Sequence, residues 1–486
     1  MCNKPIITKV AGSLSGFGRL LCASPSGGRR LLAAAALLHV TLAVGLFLAG
    51  RGQVAPGLID RDGIMPSFAF DSYEYQRGAA RLAEVLRQNG IAAWAAEQEP
   101  PHVKLISLQF ALLGPLFGHG TLSAEPLNLF CYLAVVWLTL AIGREIGGER
   151  AGTLAAVVIA LWPTLLLHTL QLLKDPLFIA GALALVLCVT TWLTRDYGPA
   201  RGLATGALTA GAVSLLLLIR FNFAAIIFAL ALFGLTLLVI RRLAEGRPLY
   251  WNMASPLLIL AGGALLLSFQ AGWAVEKFKQ YPSNQGGRLK ASADDKTRIP
   301  TAVYYLPRIM GGPPETAVAR VRAAADRAAF RLGVTRSKFA GSYSHSGSLI
   351  DQDVSFRDLG GLLLYLPRAF QIGFWSPFPN TWAAAGGRVG SAGRLLSGAE
   401  TLLIYACQLL AVVAVLCAPR RLAAWLLLSI TVFGVTGLGL VVPNVGALYR
   451  FRYTFWVLLI ILGAKGLERV ISSRAAATPH ATCRVG

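Results

Sequence analysis

The sequence predicts an all-α, polytopic integral membrane protein. Three observations predict this class: 55% of the 486 residues are hydrophobic, only 14% are charged, and long apolar runs recur from residue 31 to residue 471. A soluble domain carries about 25% charged residues. A run of about 18 or more apolar residues is typical of a membrane-spanning helix, because the helix satisfies its own backbone polar groups where lipid cannot.

Ten apolar runs are predicted to span the membrane, within a range of nine to twelve. The first is longer than the core of a typical signal peptide, so we interpret it as an uncleaved span. Two shorter runs, 102–118 and 360–376, are interrupted by Pro115 and by Pro367, and we expect helices that lie on or dip into the membrane surface. The spans are expected at 31–50, 126–143, 152–169, 176–194, 203–219, 223–240, 255–272, 399–417, 423–441 and 454–471.

Arginine positions orient these spans. With the N-terminus inside, the short inside loops carry arginines at 29–30, 144, 150, 195, 201, 241–242, 247 and 420–421, which is the positive-inside bias and predicts an N-in, C-in topology.

The seven cysteines avoid the predicted outside loops, so their spacing indicates neither a disulfide framework nor a metal site. The expected parts are an inside segment 1–30, a transmembrane module 31–272 with an outside loop 51–125, a basic outside region 273–398, transmembrane helices 399–471 and an inside tail 472–486.

The first outside loop contains an amphipathic helix in "DSYEYQRGAARLAEVLRQNG", residues 71–90. Its apolar positions recur at helical spacing, at Ala79, Leu82, Ala83 and Leu86. Asn89-Gly90 is expected to end the helix as a left-handed cap. Asp71 and Glu74 have capping-box spacing, so a simple interpretation of Asp71 is an N-cap.

The second outside loop is strongly basic, with seventeen Lys and Arg against eight Asp and Glu over residues 273–398. This charge either serves solubility or favours anionic partners such as lipid phosphates. We expect a basic amphipathic helix near 315–332, and "YLPR" occurs twice, at 305–308 and 365–368, where each arginine is expected to face headgroups. Asp351-Gln352-Asp353 resembles a metal-binding acid pair, although this spacing is common on loops.

Charged residues at the outer ends of the predicted helices indicate an outward-facing site. In "LQLLKDPLF", Asp175 before Pro176 suits an N-cap, but that role does not explain Lys174. Charged groups are costly inside a bilayer and tend to mark functional sites or pairs. Two acids with several cations suit group transfer from an anionic lipid-linked substrate, since the acid takes a proton and the cations hold a phosphate. The set comprises Asp71, His102, Lys104, His168, Lys174, Asp175, Arg220, Arg450 and Arg452.

This arrangement resembles the GT-C superfamily of membrane glycosyltransferases, which includes protein O-mannosyltransferases and the aminoarabinose transferases of lipid A. "DSYEYQRGA" is similar to the opening of the family's first outside loop, which has an Asp near a Tyr. "EPPHVKLISLQFALLGPLFG", residues 99–118, is similar to its second surface helix, and Asp175 follows the third span as an acid does in some members. The resemblance covers roughly residues 30–240.

The resemblance implies a sugar donor linked to polyprenyl phosphate, a lipid, glycan or protein acceptor, and a site at the periplasmic face of a bacterial inner membrane. It implies that Asp71 is the catalytic base and Asp175 the second essential acid. The candidate contacts to substrate or phosphate are Lys174, Arg220, Arg450, Arg452, Lys104, His102 and Tyr75. No nucleic-acid partner is implied, no metal ligand is assigned, and a divalent metal is the one cofactor left open. Ser72 after Asp71, and "EPLN" at 125–128, depart from the family pattern.

Two other classes of function remain open at this point. An O-antigen-type polymerase or ligase uses arginines of a large periplasmic loop to hold a lipid pyrophosphate, and the basic 273–398 region suits it. A transporter or a non-catalytic assembly factor is also polytopic, but the sequence shows no internal repeat and its polar residues cluster at one face.

Overall fold

The computed structural model describes residues 25–220, 224–246, 249–254, 256–257, 316–343, 347–384 and 390–477. Over these residues the chain is helical, with one isolated β-bridge between Leu349 and Asn444 and no strand. The helices are α1 Pro25–Arg51, α2 Asp71–Ala96, α3 Pro101–Phe117, α4 Glu125–Gly147, α5 Glu149–Ala160, α6 Pro163–Thr169, α7 Asp175–Thr194, α8 Pro199–Ile219, α9 Ala224–Glu245, α10 Ala317–Ser342, α11 Leu359–Trp375, α12 Gly390–Leu416, α13 Leu422–Val441, α14 Val445–Phe451 and α15 Tyr453–Ala477.

Six helices in the described ranges are long and apolar enough to cross a membrane, which confirms an all-helical, multi-pass architecture. They are Gly27–Arg51, Leu122–Gly147, Asp175–Thr194, Pro199–Ile219, Gly390–Leu416 and Leu422–Val441, and each matches an expected span. α9 covers residues 224–240 of the expected span 223–240. The expected span 454–471 falls within α15, which also carries Lys465, Glu468 and Arg469. The expected span 255–272 lies almost wholly outside the described residues.

The expected span 152–169 is two helices rather than one. α5 and α6 meet at Leu161-Trp162 with a bend of 65°, and together they pass as a seventh, broken span. Pro163 begins α6, and it fits the first turn because that position needs no N–H donor. The Thr164 amide, which the helix cannot satisfy, donates to Glu400 Oε1 at 2.8 Å. A carboxylate 236 residues away therefore stabilises this break.

The chain divides into two compact units, each described by itself below. The first unit comprises Met1–Ile259, Phe378–Val432 and Tyr453–Gly486, and the second comprises Leu260–Pro377 and Phe433–Arg452.

In the first unit, α4 and α5 pack very closely. A Cβ on Gly143 would lie 2.5 Å from the Cα of Gly152, so neither position tolerates a side chain without movement. Small residues of this kind let backbones approach where no hydrophobic effect drives helices together in lipid.

The predicted amphipathic helix of the first loop is confirmed. Ala79, Leu82 and Ala83 of α2 are fully buried against Val103, Ile106 and Phe110 of α3. Gly90 has φ 82°, the left-handed conformation that the sequence predicts, but a further helical segment follows it to Ala96. The interruption is therefore a kink within α2.

Pro115 does not break α3, contrary to expectation. A proline frees the carbonyl four residues before it, because it has no N–H. That carbonyl belongs to Ala111, and Arg87 of α2 supplies the missing donor, with Nη2 3.0 Å from the oxygen. The helix therefore continues to Phe117.

The second unit contains the predicted basic helix, α10, which begins with Thr316 capping the Ala319 amide. Arg336 of α10 is fully buried and donates to the carbonyls of Gly439, Leu440, Ile350 and Asp351. α11 runs through Pro367 without a break, which corrects the expected interruption. The first "YLPR" copy, 305–308, lies outside the described residues.

Candidate functional site

Three helices begin at the candidate site. α2 starts at Asp71, α3 at Pro101 and α7 at Asp175. Tyr75 lies in the second turn of α2, and its ring meets the His102 ring of α3 edge to face, with centroids 4.6 Å apart. The Lys174 ammonium, next to α7, lies over the same Tyr75 ring at 5.7 Å from its centroid. Tyr75 therefore joins the beginnings of the three helices.

Asp175 pairs with Arg220, and both side chains are largely buried. Arg220 follows the last residue of α8, and its guanidinium also lies over the Phe178 ring, 5.2 Å from the centroid. A buried carboxylate is stable only when it is paired and hydrogen-bonded. The pair thus fixes Arg220 at the beginning of α7. We call Tyr75, His102, Lys174, Asp175 and Arg220 the polar cluster.

His102 is 5% exposed, and neither of its ring nitrogens has a hydrogen-bond partner among the described residues. Burial lowers the pKa of His102 to about 4; the charges of Lys174 and Arg220 lower it further, and that of Asp175 opposes them. The imidazole is therefore neutral near pH 7, with one donor and one acceptor nitrogen. Buried polar groups normally have partners, so two unsatisfied nitrogens beside two cations are a signature of a ligand site.

Asp71 lies one helical turn before Tyr75. Residues four apart share a helix face, with Cβ atoms about 5–6 Å apart. The partly buried Asp71 is therefore on the edge of the polar cluster.

The structure corrects the predicted capping roles of both acids. Phe70, not Asp71, is the N-cap of α2, and no side chain caps that helix. The reason is local: Phe70 is already in helical conformation, and the Ser72 and Tyr73 amides are satisfied by the Ala69 and Phe70 carbonyls. Lys174 likewise occupies the N-cap of α7 without a side-chain cap. The carboxylate of Asp175 instead engages Arg220.

Lys104 is not part of the polar cluster. Its ammonium donates to the Ala95 carbonyl at 2.8 Å and lies over the Trp94 ring, at the end of α2. Arg450 and Arg452 belong to the second unit. Arg452 is fully buried there and donates to the Gly373 carbonyl at 2.6 Å, and Arg450 lies against Phe451.

His168 is enclosed between α6 and α15 of the first unit. Its Nδ1 lies 2.7 Å from the Thr164 carbonyl and 3.0 Å from the Tyr453 hydroxyl, and its ring lies 4.0 Å from that of Phe68. Its ring nitrogen thus has partners within its own unit, unlike those of His102.

A buried acid–imidazole pair was not predicted from the sequence. His39 of α1 is fully buried, with Nδ1 2.8 Å from Glu125 Oε1 and Nε2 3.1 Å from Thr169 Oγ1. The Thr169 hydroxyl donates its only hydrogen to the Leu166 carbonyl, so Nε2 must donate to Thr169. Nδ1 of His39 then faces the Glu125 carboxyl group in a hydrogen bond. These contacts join α1, α4 and α6.

The described residues hold no group of three or more His, Cys, Asp or Glu side chains that could bind a metal ion. Asp351 forms two contacts to Arg368, at 2.9 and 3.2 Å, and accepts from Tyr365. The Arg368 guanidinium holds the pKa of Asp351 below its usual range. The residue is therefore half of an ion pair, and Arg368 of the second "YLPR" copy contacts this acid.

Comparisons with protein-family models, curated proteins and solved structures gave no match.

Proposed function

We propose that the chain is a glycosyltransferase of the GT-C type, which moves a sugar from a polyprenyl-phosphate-linked donor to a lipid, glycan or protein acceptor. In this proposal the polar cluster faces the periplasm of a bacterial inner membrane, and both termini lie inside. The observation that carries the proposal is His102, a buried neutral imidazole with two unsatisfied nitrogens beside Lys174 and the Asp175–Arg220 pair.

The electrostatics of the polar cluster suit a phosphate. Helix N-termini carry partial positive charge and unsatisfied N–H groups, and three helices begin here. Lys174 and Arg220 add two full positive charges, of which the Asp175 carboxylate balances one. In our proposal Lys174 and the donor nitrogen of His102 contact phosphate oxygens, while Asp175 holds Arg220 in position.

Asp71 is the proposed general base. The acceptor hydroxyl oxygen attacks the anomeric carbon of the donor sugar while its proton passes to the Asp71 carboxylate. The bond between that carbon and the phosphate oxygen breaks, and polyprenyl phosphate leaves with the electron pair. Lys174 and Arg220 stabilise the charge that develops on the leaving oxygen.

Two lysines provide a matched test of this site. Lys174→Met removes a cation from the polar cluster. Lys104→Met removes an equal charge outside the cluster, at a lysine whose ammonium donates to the Ala95 carbonyl. We expect Lys174→Met to reduce transfer by at least about tenfold, since a hydrogen bond to a charged group contributes 1.5–3 kcal/mol. Lys104→Met should retain wild-type activity.

Asp71→Asn tests the proposed base in the same assay. It should abolish transfer while the protein accumulates to wild-type levels, because the asparagine keeps the volume of the side chain but cannot take the proton. Normal transfer by the Asp71→Asn protein would refute the assignment of Asp71 as the general base. Equal loss of transfer in both lysine variants would refute the assignment of the polar cluster as the site.

The second unit favours one competing function, a polymerase or ligase that uses lipid pyrophosphate. On α10, Arg320, Arg327, Arg331 and Lys338 are all exposed and fall within a narrow arc of the helix, opposite buried Ala329. Such a stripe of positive charge suits an anionic glycan or pyrophosphate. Loss of long chains in Arg327→Ala and Arg331→Ala proteins, with Asp71→Asn fully active, would favour this function.

The bent pair α5–α6 bears on the third class, a transporter. Transporters often bind substrate at broken helices near the middle of the membrane. Here, however, the break is closed by Glu400, which binds both the amide and the hydroxyl of Thr164. Tracer uptake into vesicles that contain the protein, absent from vesicles without it, would support transport.

A further inference from the structure

A second polar feature lies at the C-terminal end of α4, near Gly147, and plays no part in the proposed transfer. Lys465 of α15 is 2% exposed, and its Nζ has no hydrogen-bond partner among the described residues. The side chain passes directly over Gly147, the last residue of α4: a Cβ there would lie 3.3 Å from Lys465 Cβ. A buried ammonium without an acceptor is costly, so its partner needs an explanation.

The charged groups that act on Lys465 are mostly of the same sign. Arg421 lies at the same end of α4, where its Nη1 donates to the Ile146 carbonyl at 2.8 Å. Arg469 follows Lys465 by one helical turn, and Glu468 is the only acid among these groups. Two cations against one carboxylate leave a net charge of one positive around a buried, unsatisfied ammonium, so the group as a whole carries two positive charges.

The C-terminus of α4 explains part of this arrangement. The last carbonyls of a helix carry partial negative charge and favour nearby cations. Arg421 already hydrogen-bonds one of these carbonyls, however, and Lys465 Nζ hydrogen-bonds none of them. The helix end therefore accounts for Arg421, while Lys465 still lacks an acceptor.

The position of this group relative to the membrane identifies the available anion. α4 has 23 residues from Glu125 to Gly147, or about 33 Å at 1.5 Å per residue, which matches the thickness of the hydrocarbon core. The beginning of α4 lies at the end that holds the polar cluster: Ala124, next to Glu125, is buried in one group with Val103 and Leu172, and Tyr75 packs against that group. Lys465 and Arg421 are thus at the other membrane face, where phosphates of lipid headgroups lie.

We propose that Lys465, Arg421 and Arg469 bind the phosphate group of an anionic lipid at the membrane face opposite the polar cluster. Lys465 provides the buried ammonium, and the two arginines provide the exposed rim. The same chemistry would accept soluble phosphate, so the test separates the two sources. This site is independent of the proposed transfer activity.

The test uses the full chain in detergent micelles and measures its thermal unfolding midpoint. The probes are phosphatidylglycerol, zwitterionic phosphatidylcholine and inorganic phosphate. The variants are Lys465→Met, which removes the buried charge and keeps the length of the side chain, and Arg469→Gln, which weakens the rim. Arg420→Gln is the matched control, because it removes one exposed charge from the residue next to Arg421.

We expect phosphatidylglycerol to raise the midpoint of the wild type, and Lys465→Met to need at least about tenfold more of it for half the effect. Arg469→Gln should show a smaller loss, and Arg420→Gln none. Without anionic lipid, Lys465→Met should be no less stable than the wild type, since it relieves a buried charge.

The proposal fails if phosphatidylglycerol and inorganic phosphate leave the wild type unchanged, or if Lys465→Met and the wild type respond equally. It also fails if Lys465→Met is destabilised by the same amount with and without lipid, which is the result that a purely structural lysine gives. An equal response of the wild type to inorganic phosphate, lost in Lys465→Met, would assign the site to soluble phosphate.

Discussion

Acidification should destabilise the protein through His102. Burial lowers the pKa of His102 to about 4, from 6.5 in an exposed histidine. The unfolded chain therefore takes up the proton at a higher pH than the folded chain does. Above pH 6.5 this residue does not reduce the free energy of unfolding, and as the pH decreases from there to about 4 the free energy of unfolding falls. At 1.36 kcal/mol per pKa unit, this one residue should cost about 2 kcal/mol at pH 5 and about 3 kcal/mol by pH 4.

His102→Gln isolates this contribution, because glutamine keeps a polar side chain but does not titrate. Denaturant unfolding of both proteins, in the same detergent at pH 7.5 and pH 5, measures the free energy of unfolding. Other groups titrate equally in the two proteins, so the wild type should lose about 2 kcal/mol more than the variant between these pH values. The same pH dependence in both proteins would show that His102 is not buried as a neutral imidazole.

Two further predictions follow from buried charge and from backbone conformation. Asp175→Asn and Arg220→Gln should each lower the free energy of unfolding by about 3–5 kcal/mol, because each single change removes one half of a buried ion pair. The double variant should lose clearly less than the sum of the two single losses. Additive losses in the double-mutant cycle would contradict the pairing. Gly90→Ala should cost about 1–3 kcal/mol, since φ 82° with ψ 179° is accessible almost only to glycine and no neighbouring atom lies within 4 Å to add a steric cost. Asn89→Ala is the control for this change, and equal thermal midpoints for the two variants would refute the argument.

The sequence predicted those features that depend on neighbouring residues. The helical spacing of Ala79, Leu82 and Ala83 identified a buried face, and all three side chains are buried against α3. Asn89-Gly90 identified a left-handed residue, because few other sequences adopt that conformation at low cost. Apolar length identified six of the spans in the described ranges.

Features that depend on distant residues were not predicted. Pro115 was expected to break α3, but Arg87, 24 residues away from Ala111, supplies the donor that proline lacks. The pairing of His39 with Glu125 joins residues 86 apart, and no local pattern records it.

The candidate site was predicted in part. The charges at helix ends identified His102, Lys174, Asp175 and Arg220, which the structure brings together. The same criterion also selected Lys104, whose ammonium lies at the end of α2. Position at a helix end is visible in a sequence, but the direction of a side chain is set by packing between helices. The capping role expected of Asp71 was wrong because backbone turns already satisfy the first amides of α2, and that of Asp175 was wrong because its carboxylate pairs with Arg220.

The most direct test of the proposed function is the mass profile of lipid-linked and cell-surface glycans from cells with and without this gene. The proposal predicts that cells without the gene accumulate an acceptor lighter by one sugar residue, and that the Lys104→Met protein restores the mass while the Asp71→Asn protein does not. Unchanged glycan masses would contradict a glycosyltransferase. Intact single repeat units without long chains would instead indicate a polymerase, and Asp71 would then have no catalytic role.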